Sequence, residues 1–140
     1  MRPHPYLRAY MAGIVVPTCF LLVIVSALAW FHLYLEVPIE LPMRPLERAV
    51  VFPMAVVPNL WGVWNMLHLA LRSRARLPLG VHGALLPLLL MPAGVLLSRA
   101  LDISTIQWRF ALPAAPIGMA VYYLAWKYIV GFLNDELGVG

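Results

Sequence analysis

The chain predicts an all-α polytopic membrane protein: four transmembrane helices in one antiparallel bundle, with proline kinks. Three observations predict it. The 140 residues are 63% hydrophobic and only 11% charged, whereas soluble domains carry about 25% charged residues. Such a chain cannot cover itself with a water-compatible surface. Its apolar residues fall into four runs, about 10–35, 48–71, 78–98 and 111–133, and a helix needs roughly 20 apolar residues to cross a hydrocarbon core of about 30 Å. At that depth no water satisfies backbone N–H and C=O groups, so apolar runs of this length must be helical.

The first run, 10–35, follows Arg2 and Arg8 and carries Pro17. Its Ala27-Leu28-Ala29 has the look of a signal-peptide cleavage site, but the apolar run continues to Leu35, so it reads as an uncleaved signal-anchor. The linker 36–47 contains Pro38, Pro42 and Pro45 and is expected to be extended and semi-rigid. The second run carries Pro53 and Pro58. The turn 72–77 is short, which makes runs two and three an antiparallel hairpin. The third run holds Pro87 and Pro92, with Gly80, Gly83, Ala84 and Gly94 forming a small-residue face that permits close approach of another helix. Segment 99–110 is amphipathic and is expected along the outer surface. The fourth run carries Pro116 and ends near Lys127, whose ammonium can snorkel to the interface.

Pro45, Pro78 and Pro113 sit at or near run starts, where a missing N–H costs little. The interior prolines each remove a helix bond and bend their helix. The polar tail, "NDELGVG", is expected to be mobile. Residues 1–140 form one domain.

Orientation follows from the cations. Arg2, Arg8, Arg72, Arg74, Arg76 and Lys127 fall on one side. Arg44, Arg48, Arg99 and Arg109 fall on the other, among Glu36, Glu40, Glu47 and Asp102. Positive charge gathers on the cytoplasmic side, so both termini are expected in the cytoplasm, with the chain multi-pass in a plasma membrane, the inner membrane of a bacterium. Trp30, Tyr34 and Trp108 then lie at the outer interface and Tyr6 and Tyr10 at the inner one. The net charge of +4 forms no stripe along a polar face, which argues against a nucleic-acid partner. Cys19 is the single cysteine, which excludes an intrachain disulfide and a thiolate metal site.

The stretch "VVPNLWGVWNMLHLALRSRAR", 56–76, departs from this apolar texture. Trp61, Asn65, His68 and Arg72 follow one another at helical spacing, giving one polar-aromatic stripe. At about 1.5 Å per residue from Arg72, His68 lies about 6 Å deep, Asn65 about 10 Å, Trp61 about 16 Å and Asn59 about 20 Å. Trp61 and Trp64 are too deep for an aromatic belt and belong inside the bundle or against a ligand. His68 and His82 are equidistant from Ala75 at the hairpin centre, so they occupy matched depths.

A polar stripe faces other helices or a wet cavity rather than lipid. Either Asn59 and Asn65 join helices by hydrogen bonds, or Asn59, Trp61, Trp64, Asn65, His68, Arg72 and His82 line a site between runs two and three. His68 and His82 as axial ligands of haem b form a minor variant of the second reading, because adjacent helices only 8–10 Å apart crowd a porphyrin. His32 and Glu36 make a separate i, i+4 pair at the outer end of run one.

No carboxylate lies inside a run, and neither a Ser/His/Asp set nor metal-ligand spacing appears, so catalysis and a resident metal are not expected. Four-span small multidrug transporters carry a glutamate inside the first span, which has none here, and quinone-coupled disulfide enzymes need a Cys-x-x-Cys. The leading expectation is a non-enzymatic membrane protein acting through helix packing, as a homo-oligomer or an accessory subunit of a membrane complex. A small transporter or channel is the alternative.

Overall fold

A computed structural model describes residues 4–34, 56–74, 76–100 and 108–139, and the regular elements among them are all helical. Helix α1, Pro5–Tyr34, is the longest. Helix α2 spans Val57–Leu71. The third rod is split into α3, Leu79–Ala84, and α4, Leu86–Ala100. The fourth consists of α5, Trp108–Leu124, a π-helical stretch, Ala125–Val130, and α6, Gly131–Glu136. Three stretches, Pro5–Phe31, Leu79–Leu96 and Ala115–Glu136, are long and apolar enough to cross a membrane. The run expected over 48–71 is seen as helix only from Val57, in 15 residues, and 48–55 lie outside the described residues.

Two prolines exchange the positions expected for them. Because α2 starts at Val57, Pro58 occupies its first turn, where no N–H is needed. Because α5 starts at Trp108, Pro113 joins Pro116 inside the helix. Pro17 and Pro92 are interior. At Leu85 the third rod is interrupted. Pro87 has no N–H to give the Gly83 carbonyl, and the neighbouring N–H groups take shorter steps, Leu85 to His82 O at 3.3 Å and Leu88 to Leu85 O at 3.1 Å.

Helices α1 and α2 run antiparallel in contact, with Ala9 against Asn65 and Tyr10 against Asn59. The predicted hairpin register holds: Trp64 and His68 of α2 meet His82 of α3. At Gly80 and Gly83 the small-residue face of the third rod is filled from within the chain. A Cβ added to Gly83 would lie 2.0 Å from Trp126 Cγ, so glycine there is what seats the indole. Trp126, Trp61, Leu86 and Val130 form the buried core, with Val16, Trp64 and Tyr122 packed around it.

The C-terminal tail is folded, contrary to the mobility expected of it. Val139 N–H reaches Asn134 O at 2.7 Å and Gly138 N–H reaches Asp135 O at 3.0 Å, with Gly138 at φ 63°. This is a Schellman cap, in which glycine takes the left-handed position without a Cβ penalty. The Arg8 guanidinium then donates to Leu137 O at 2.6 Å and to Gly138 O at 2.9 Å. The start of α1, the 72–78 turn and the tail thus gather at one end of the helices. The other half of α1 stands apart, with Phe20 65% and Val23 66% exposed.

Candidate functional site

The second helix distributes its polar groups among three neighbours. Asn65, 1% exposed, sits where α1, α2 and α6 meet. Its Nδ2 donates to Ala9 O at 2.8 Å and to Asn134 Oδ1 at 2.8 Å. Asn134 Nδ2 returns a bond to Asn65 Oδ1 at 3.2 Å. Two amides therefore pair face to face in the interior, which satisfies groups that would otherwise be expensive in lipid. Two turns earlier, Tyr10 Oη donates to Asn59 Oδ1.

Trp64 and His82 form a second reciprocal pair. The indole Nε1 donates to His82 O at 2.9 Å, and His82 Nε2 lies 3.0 Å from Trp64 O. A carbonyl only accepts, so His82 carries its proton on Nε2. The two rings stack at 4.8 Å between centroids. His68 also approaches His82, with centroids 4.9 Å apart and the rings tilted at 54°. The two imidazoles that sequence depth places at one level do meet. They meet ring against ring, and His82 Nε2 is committed to a backbone carbonyl. A porphyrin held by both would have to part the rings, and while that bond stands His82 has only Nδ1 to offer iron. Among the described residues no group of three or more His, Cys, Asp or Glu converges as a metal site.

Trp61 is buried deeper, tilted against Tyr122 at 4.9 Å and Trp126 at 5.3 Å. The indole N–H of Trp126 is enclosed in this aromatic cluster without a hydrogen-bond acceptor, a cost the cluster bears through the area its large rings bury.

Toward the end where the chain termini gather, the stripe opens into a half-open cavity of about 550 Å³. Asn65, His68 and Arg72 of the predicted stripe line it, joined by Arg76, Asn134 and Asp135. Asn59, Trp61, Trp64 and His82 do not line it. The stripe is therefore divided between a packed interior and an open cavity. The outer pair is not addressed by these contacts, since Glu36 and the side chain of His32 lie outside the described residues.

Sequence reasoning missed Asn134, Trp126, Arg8 and Arg76, and it read Tyr10 only as an interface marker. Two signals could have found the first pair. Trp126, Val130 and Asn134 recur at i, i+4, i+8, one helix face running into the tail, and the "LGV" that follows is a helix-stop pattern with glycine in the left-handed position. Compared with known proteins, the chain matches no family model, no curated protein and no solved structure.

Proposed function

We propose that this chain is a non-enzymatic integral membrane protein of four spans that works through helix packing, as a homo-oligomer or as an accessory subunit of a membrane complex. The observation that carries this reading is the use made of the interior polar groups. Asn65, Trp64, His82 and Asn134 are all engaged with neighbouring helices of the same chain. A transport path would keep such groups turned toward a passing solute. Between apolar helices in lipid, hydrogen bonds and close fit determine which helices pair, because the bilayer supplies no hydrophobic drive.

The contact of Arg8 with Leu137 and Gly138 supports an even number of crossings between those residues. With Arg8, Arg72, Arg74 and Arg76 at the end of the helices where this contact lies, the positive-inside rule favours the cytoplasm for it, in a plasma membrane. The small-residue face of the third rod is occupied at Gly83 by Trp126 and at Gly80 by Tyr123 and Lys127. Association with a further protein therefore falls to the exposed half of α1, where the 27-residue stretch Pro5–Phe31 has a window only 6% buried, against 33% for Leu79–Leu96. Native mass spectrometry of the chain extracted in native-lipid particles tests this. A strictly monomeric protein with nothing co-purifying would overturn it.

One observation favours a transporter or channel instead: the cavity that reaches Asn65 and His68. Proteoliposome flux that is unchanged by Asn65→Leu and His68→Leu, in variants that still fold, removes that reading. Purification with haem supplied and no Soret band removes the haem variant.

A further inference from the structure

The cavity beside the 72–78 turn has a chemistry that helix packing does not use. Arg72 follows the last residue of α2, and Arg76 lies four residues on in the turn. Both are exposed and both line the cavity. Among the described residues neither makes an ion pair or a hydrogen bond. Asp135 is the carboxylate on the lining, so guanidinium groups outnumber it.

The lining adds a donor. Asn134 is 7% exposed, and its amide nitrogen carries two hydrogens. One goes to Asn65 Oδ1. The second has no acceptor among the described residues, and Asn134 lines the cavity. Both hydrogens of Asn65, by contrast, are spent on Ala9 and Asn134. The lining therefore combines two guanidinium-bearing residues with a nearly buried amide, one of whose N–H groups has no acceptor among the described residues. Asn65 and His68 also line the cavity, and the rest of its wall is apolar, with Leu69, Leu77 and Leu79.

We propose that this cavity binds a phosphate group, held by Arg72 and Arg76, with the remaining N–H of Asn134 as a further donor. Guanidinium groups present paired donors that match phosphate oxygens two at a time. The group must offer several acceptors to several donors at once, which a tetrahedral oxyanion does and chloride does not. Two sources fit the position. Basic pockets between helices at the membrane surface take lipid headgroups, and the apolar wall suits the glycerol and first methylenes of such a lipid. A soluble phosphate or phosphomonoester entering from the aqueous side offers the same oxygens. The site does not depend on whether the protein assembles with a partner.

The test uses the full chain in dodecyl maltoside, which contains no phosphate. The thermal unfolding midpoint is followed while inorganic phosphate, phosphatidylglycerol or diacylglycerol is added, since a ligand bound to the folded state raises that midpoint with concentration. Stabilisation by phosphatidylglycerol but not by diacylglycerol or inorganic phosphate supports the site with a lipid source. Stabilisation by inorganic phosphate supports it with a soluble source. The double variant Arg72→Gln with Arg76→Gln is expected to weaken binding about tenfold or more. Arg74→Gln removes a charge from the same turn but from outside the cavity lining. It is expected to change binding within about twofold, because at about 0.15 M salt it acts only through a screened field. No stabilisation by either phosphate source overturns the proposal, and so does an equal loss from Arg74→Gln, which would mean attraction by the basic surface alone.

Discussion

Residues 5–16 of α1, all of α2, the start of the third rod and residues 126–139 meet at one end of the molecule, where polar side chains cross from helix to helix. In the opposite half of α1, from Thr18 to Tyr34, no described side chain is buried. Both regions are apolar in composition, so hydrophobicity does not separate them. The difference lies in amides, indoles and glycines. The packed end has the Asn65–Asn134 pair, the Trp64–His82 pair and the Gly83 seat for Trp126. The open half has Thr18, whose hydroxyl turns back onto Ile14 O of its own helix at 2.7 Å, and Trp30 stacked on Tyr34 within α1 at 4.2 Å. Where the solvent is itself apolar, contacts are fixed by polar reciprocity and close fit, and leucine or valine alone leaves a helix face to lipid or to another protein.

Substitutions at the two regions should separate accordingly, measured as unfolding of the detergent-solubilised chain by circular dichroism. Trp126→Ala should cost most, about 3–5 kcal/mol, because it empties the centre of the core. Gly83→Ala should cost about 1–3 kcal/mol through overpacking against the same indole. In the Trp126→Ala background most of that cost should disappear, and persistence of the full cost would show that Gly83 acts otherwise than by seating the ring. Asn65→Leu should cost about 1–3 kcal/mol by stranding the Asn134 amide and Ala9 O. A double-mutant cycle with Asn134→Leu should give a coupling of about 0.6–1.7 kcal/mol. Phe20→Ala in the open half should stay within about 0.5 kcal/mol. If it costs as much as Asn65→Leu, the contrast between the two regions is broken. If Phe20→Ala with Val23→Ala leaves unfolding unchanged yet shifts the assembled mass, the open half is where the partner sits.

Much of this was legible in the chain because helical spacing and depth are local properties. Trp61, Asn65, His68 and Arg72 fall on one face whatever the tertiary structure. A short turn forces the register that brings His68 to His82. Partnership is not local in this way. Asn65 finds Asn134 at a separation of 69 residues, and nothing about Asn65 names that partner. Gly80 and Gly83 announce that some helix comes close. The occupants are the chain's own Tyr123, Lys127 and Trp126, which a glycine pattern cannot specify. The tail was misread for a different reason. Its composition is polar, but one buried amide and one glycine at a cap matter more to its order than the average of seven residues.

The Asn65–Asn134 pair also sets an order of events during synthesis. At about 5–20 residues per second, the 69 residues between them take about 3–14 s to make. For that interval an amide in a newly inserted helix waits for its side-chain partner. The Ala9 carbonyl, made earlier and on the adjoining helix, can hold it meanwhile. The first two helices are thus able to pair before the chain is finished, and the last turn closes on an arrangement already in place.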